Sequence, residues 1–140
     1  MRKLISIAVV AGGVSVAANG ADAAPACTFD GTWTASNAGG KTTFTTKLVP
    51  ATHTITVDRT GGGLPSAHIE GVFAYDGGSG KITFTNKSVS TPDMAFFACI
   101  DIPGTYTLNF SDCSHVTLSL VSDDCKPRTM GPGHATFTKQ

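Results

Sequence analysis

Hydrophobic and polar residues alternate with a period of two along most of this chain. Between Gly104 and Arg128, Tyr106, Leu108 and Phe110 are separated by polar residues, and Val116, Leu118 and Leu120 repeat the pattern after a short polar break. Alternation on both sides of a tight connection predicts a β-hairpin with one buried face. The same period predicts a strand over Gly31–Ser36, with Trp33 and Ala35 facing inward, and another over Lys41–Val49, with Phe44, Thr46 and Leu48 on one face. Thr52–Asp58 aligns His53, Ile55 and Val57. Ser66–Tyr75 aligns Ile69, Phe73 and Tyr75, with Gly71 as a bend. Lys81–Val89 turns Ile82 and Phe84 inward, and Met130–Lys139 does so with Ala135 and Phe137. No stretch after the N-terminal leader has helical periodicity, and Gly or Pro clusters separate the strands. The prediction is an all-β meander of eight strands with no substantial helix in the mature domain.

Consecutive antiparallel strands alternate in direction, so the connections sort onto two ends. The long ones, Asn37–Gly40, Asp58–Pro65, Ser90–Pro103 and Ser122–Pro127, fall together. The short ones, Pro50–Ala51, Asp76–Gly80 and Ser111–Ser114, fall at the opposite end. This asymmetry is that of an up-and-down antiparallel β-barrel with an open mouth and a closed base.

The N-terminus changes the compartment. Met1-Arg2-Lys3, an apolar run from Ile5 to Ala18 and the small residues Ala21-Asp22-Ala23 read as a secretory signal peptide over residues 1–23, leaving a barrel domain over 24–140. The run is too short to span a bilayer, and no later stretch is long enough. The expected localisation is secreted or periplasmic. Lipidation at Cys27 is disfavoured, because Pro25 fits a lipoprotein site poorly and no Leu occupies its usual place.

Four cysteines remain: Cys27, Cys99, Cys113 and Cys125. None forms a C-x-x-C pair, so zinc and thioredoxin-type chemistry are poor readings. An even set in an exported chain reads as two disulfides, with three possible connectivities. Cys27 precedes the first strand and Cys113 lies in a short turn, so both belong to the base; Cys99 and Cys125 lie in long connections at the mouth. Bridged α-carbons lie within about 7 Å, so the expected pairs are Cys27–Cys113 and Cys99–Cys125.

The chain carries 10 Lys and Arg against 10 Asp and Glu. A balanced charge supplies no electrostatic footprint for nucleic acid or acidic membranes.

At Gly31-Thr32-Trp33 the sequence resembles the lipocalins and the wider calycin superfamily, whose first strand begins with G-x-W. The C-terminal half is similar to small secreted bacterial lipocalin-like proteins. The residues that carry this are Cys99, Gly104-Thr105-Tyr106, the alternating segment Val116–Val121, and Asp124 with Cys125 and Arg128. The resemblance implies an eight-stranded barrel with an apolar interior, often with a small-molecule pocket. Two features depart from it. Lipocalins pack a C-terminal helix on the barrel, which is not expected here. They also stack a basic residue from the last strand on the first-strand Trp, and only Lys139 is well placed for that.

Trp33, near the base, reads first as a core plug. Within any pocket, Tyr75, Tyr106 and His53 are the candidate polar contacts, Phe73 and Phe84 candidate walls, and Met94, Phe96 and Phe97 a candidate lid or core cap on a mouth loop. His68-x-Glu70 places two potential metal ligands on one outer strand face but needs a third, so no metal site is assigned. Asp123-Asp124 reads as turn residues and as partners for Lys126 or Arg128 rather than an acid/base pair. No G-x-S-x-G, Cys/His dyad or phosphate loop occurs. No catalytic residues, no enzymatic activity and no cofactor are expected. The expectation is an exported binding protein for a small, mostly apolar ligand. The alternative is a protein-interaction module, inhibitor-like, acting through the mouth loops Asp58–Pro65 and Met94–Phe97.

Overall fold

A computed structural model describes residues 26–37, 39–130 and 135–140. The signal-peptide assignment at residues 1–23 lies outside the described residues. Eight strands follow in chain order: β1 Gly31–Ser36, β2 Thr42–Val49, β3 Thr54–Gly61, β4 Ala67–Asp76, β5 Lys81–Val89, β6 Pro103–Asp112, β7 His115–Asp123 and β8 Thr136–Lys139. Each pairs antiparallel with its neighbour, and β8 pairs with β1 through Trp33↔Lys139 and Thr34↔Thr138, so the sheet closes into an up-and-down barrel. Helix among the described residues is confined to a 3₁₀ turn at Pro92–Met94, α1 (Ala95–Ala98) and α2 (Lys126–Met130).

The sequence-derived strands match in number and order, with local differences that have physical causes. The final strand starts at Thr136 rather than Met130, because Lys126–Met130 forms α2. Strand β3 starts at Thr54, which leaves His53 in the turn with φ 54° and exposed, not inward. The turn is tied by amide hydrogen bonds from Thr52 to Val49 O and from His53 to Pro50 O, both 3.3 Å. Tyr75 continues the inward parity of Ala67 and Phe73 but lies at the end of β4, past the packed interior, and is 43% exposed. Leu120 is also exposed, at a point where β7 bulges. Tyr106 pairs with Leu120 but Thr105 pairs with Ser122, so Val121 is the extra residue. That single insertion reverses the parity beyond it and turns Asp123 inward. Gly71 is required by a close approach: a Cβ there would lie 2.5 Å from Thr85 O beside the β4–β5 register shift.

The base is plugged. Trp33 has no exposed surface and packs against Phe29 at 5.0 Å between ring centroids; Phe137 meets Phe29 at 5.9 Å. The Trp33 indole N–H donates to Asp30 O at 2.8 Å, which satisfies its one buried polar atom. Lys139 reaches across the strand pair, with Nζ 5.4 Å from the Trp33 ring and 3.1 Å from Asp30 Oδ1. A cation over an indole face is an attractive arrangement.

Both disulfides join the expected partners. Cys27–Cys113 (Cα–Cα 4.9 Å) fastens the N-terminal tail across the base, and Cys99–Cys125 (5.8 Å) joins α1 to the start of α2 at the mouth. Two such bridges point to an oxidising environment, as found in extracellular or periplasmic spaces. No helix among the described residues is long and apolar enough to cross a membrane.

Candidate functional site

Inward-facing residues of the strands leave a narrow axial cavity of about 120 Å³ between the base plug and the mouth. Phe29 and Phe137 form its floor, Phe44, Ile55 and Phe84 contribute walls, and Arg59, Asn86 and Arg128 lie near the mouth. An outer hollow of about 390 Å³ shares Phe44, Arg59, Phe97 and Pro127 with it, so the cavity leads to the surface. The interior is thus largely filled, with a small apolar channel left over. Such a volume approaches the roughly 150 Å³ of an apolar cavity that admits benzene, and lies below the 300–1,000 Å³ of drug-sized pockets.

The structure divides the eight candidate ligand residues. Phe84, Met94, Phe97 and Tyr106 line the cavity. Phe96 lines only the outer hollow and is 75% exposed. Phe73 is buried but does not line the cavity. His53 and Tyr75, at the opposite rim, are not brought to it. The mouth segment splits by helical geometry: Met94 and Ala98 turn inward and are buried, while Phe96 points out. Cys99 ends α1 in the left-handed region (φ 48°), where its disulfide holds it.

The mouth loop is also fastened from below. Asn86 Nδ2 donates to Ala98 O at 2.5 Å, and Asp101 N–H donates to Asn86 O at 2.9 Å. Asn86 is only 8% exposed, a burial that the alternation does not reveal, because it is a polar residue at an inward position of an otherwise apolar pattern. Arg59 is a second polar residue at an inward position. It continues the Ile55 and Val57 face one step beyond the expected strand end.

Beside the cavity lies a buried ionic cluster. The Tyr106 hydroxyl donates to Asp123 Oδ2. Arg128 holds the same carboxylate through Nε–Oδ2 at 2.5 Å and Nη2–Oδ1 at 2.8 Å, and Nη2 also reaches Ile102 O at 2.8 Å. The Cys125 N–H donates to Oδ1 at 2.8 Å. The Asp123 side chain has no exposed surface, and that of Arg128 is 9% exposed. Burial alone would raise the Asp123 pKa, but the Arg128 and Tyr106 hydrogen bonds outweigh it and hold the carboxyl below its ordinary range. Burial, reinforced by Asp123, pushes the Tyr106 hydroxyl upward, so it stays protonated. Burial would weaken the Arg128 charge, yet its bond to Asp123 raises its pKa further. The cluster is a fixed, internally neutral brace. It joins β6, β7 and α2.

On the outer wall, His68 stands between Asp58 (Nδ1–Oδ1 2.6 Å) and Glu70 (Nε2–Oε1 3.6 Å). The carboxylates engage opposite edges of the ring and do not converge on a common point. Among the described residues no group of His, Cys, Asp and Glu is arranged to hold a metal ion. The hydrogen bond to Asp58 raises the His68 pKa.

Searches against protein-family models, curated proteins and solved structures gave no match for this chain. The topology itself, a closed barrel of eight antiparallel strands in sequential order, is compatible with a lipocalin-like fold.

Proposed function

We propose that this protein is an exported, non-enzymatic binding module for a small, mostly apolar ligand held in the barrel. The supporting observation is the axial cavity, floored by Phe29 and Phe137, walled by apolar side chains and reaching the surface beside Phe97. Burying ligand surface there contributes at roughly 25 cal/mol per Å². Benzene, whose size the cavity approaches, is expected to bind saturably at one site in a calorimetric titration. Val57→Phe, which enlarges a half-buried cavity wall, is expected to weaken binding at least about tenfold, or about 1.4 kcal/mol, with the far-ultraviolet dichroism unchanged. Absence of saturable binding sinks the proposal.

A second reading, a protein-interaction role, draws on the mouth rim, where Phe96 and Met130 are 75% and 81% exposed beside Leu64 at 40%. Apolar groups clustered at a rim are a feature of interaction surfaces. Pull-down from the native secretome separates the two. A stoichiometric protein partner lost on Phe96→Ser favours this reading, and co-purified small molecule the first.

A further inference from the structure

Apolar walls do not account for the charge at the neck of the cavity. Arg59 is half-buried and lines both the cavity and the outer hollow; Lys126 lines the hollow, and Arg128 the cavity. No Asp or Glu lines either space. Asp123 neutralises Arg128, but neither Arg59 nor Lys126 has a carboxylate within ion-pair distance among the described residues. The Arg59 guanidinium makes one hydrogen bond there, from Nη1 to Pro65 O at 3.3 Å, and retains further donors. Arg128 adds a second observation. Its Nη1 is shielded from solvent and has no acceptor among the described residues, although the side chain is 91% buried and lines the cavity. A buried donor on a charged group is costly to leave unpaired.

A narrow apolar channel with unpaired cationic donors at its open end complements one kind of molecule. We propose that the ligand is an anionic amphiphile, its alkyl chain in the channel and its negative head group at the neck against Arg59, with Lys126 and the Arg128 Nη1 donor beside it. This rests on the reading of the cavity as a ligand site and adds the ligand's charge and orientation. An anionic oxygen supplies the acceptor that the Arg128 donor lacks and the countercharge that Arg59 lacks. Planar guanidinium groups suit a carboxylate or phosphate well. Lys126 adds a longer-range attraction that salt screens.

The test is calorimetric titration with octanoate, octanol and octyltrimethylammonium, which share a chain and differ in head group. Octanoate is expected to bind at least about tenfold more tightly than octanol, a difference of about 1.4 kcal/mol, and the cation more weakly than both. Arg59→Gln is expected to bring octanoate to within about twofold of octanol without changing octanol itself, and Arg59→Lys to restore part of the preference. Octanol binding as tightly as octanoate overturns the inference and leaves the apolar site standing. So does an octanoate affinity that survives Arg59→Gln combined with Lys126→Gln. Binding of none of the three overturns the ligand-site proposal as well. The head-group comparison on the unaltered protein decides the matter even where a variant fails to fold.

Discussion

At the scale of single residues, Asp123 is held from several sides at once. Its carboxylate takes hydrogen bonds from Tyr106, Arg128 and the Cys125 amide in a site closed to solvent. Asp123→Ala leaves the Arg128 charge buried and uncompensated, and a loss of about 3–5 kcal/mol is expected, measured by urea denaturation. The pH dependence follows from the lowered Asp123 pKa. With the folded value below the unfolded one, the contribution is complete above about pH 4 and is lost as pH falls through the folded value. The urea midpoint of the native protein is therefore expected to drop more steeply below about pH 4 than that of the Ala variant. Gly104 belongs to the same brace. A Cβ at that position would collide with the Asp123 carboxylate and lie 2.9 Å from Arg128 Nη2. Gly104→Ala is expected to destabilise by about 1–3 kcal/mol through overpacking. A midpoint equal to that of the native protein would show that the brace shifts freely.

At the scale of elements, alternation made strand number, order and inward faces readable, because a period of two is a property of the sequence itself. What it did not reveal lies where local geometry overrides the period. The bulge at Val121 reverses parity, so Asp123 faces in although Leu120 and Val121 give no sign of it. Helix α2 carries only five residues, too few for a helical repeat to register, and its Lys126-Pro127 start reads equally well as a turn. Arg59 and Asn86 are polar residues at inward positions, and their surroundings depend on loops that fold over the mouth. The mouth elements are tied by the Cys99–Cys125 bridge, which encloses a sequence separation of 26 residues. Its replacement by two serines is expected to cost about 3.5 kcal/mol on the chain-entropy account. Hydrogen exchange should show the loss concentrated in α1 and α2, with β2 and β3 protected as before.

At the scale of the whole molecule, eight sequential antiparallel pairings produce a cylinder without free edges, which removes the template for edge-to-edge association. The two rims differ in kind. Trp33, Phe29 and Phe137 fill the base, while the mouth keeps the channel and the exposed Phe96 and Met130. Sorting long and short connections between rims also settled the cysteine pairing, since no cross-barrel bridge satisfies the distance limit. The Cys27–Cys113 bridge, with a separation of 86 residues, is expected to be the larger stabiliser at about 4.6 kcal/mol. Thermal unfolding of the two double-serine variants orders them, and the opposite order would indicate strain or residual structure outweighing loop length.

Strand β8 has only four residues and meets β1 through two residue pairs, extended by one amide bond from Gln140 to Thr32 O. Those partners lie more than a hundred positions apart along the chain, so their union waits until everything between them has assembled. A hoop riveted at its last and shortest overlap parts there first under load. Local opening should start along that join, and amides of β8 should trade their protons for deuterium ahead of every other strand. The cylinder would then widen by unzipping at the join, admitting a guest broader than its resting bore while the tethered tail keeps the two ends in reach of each other.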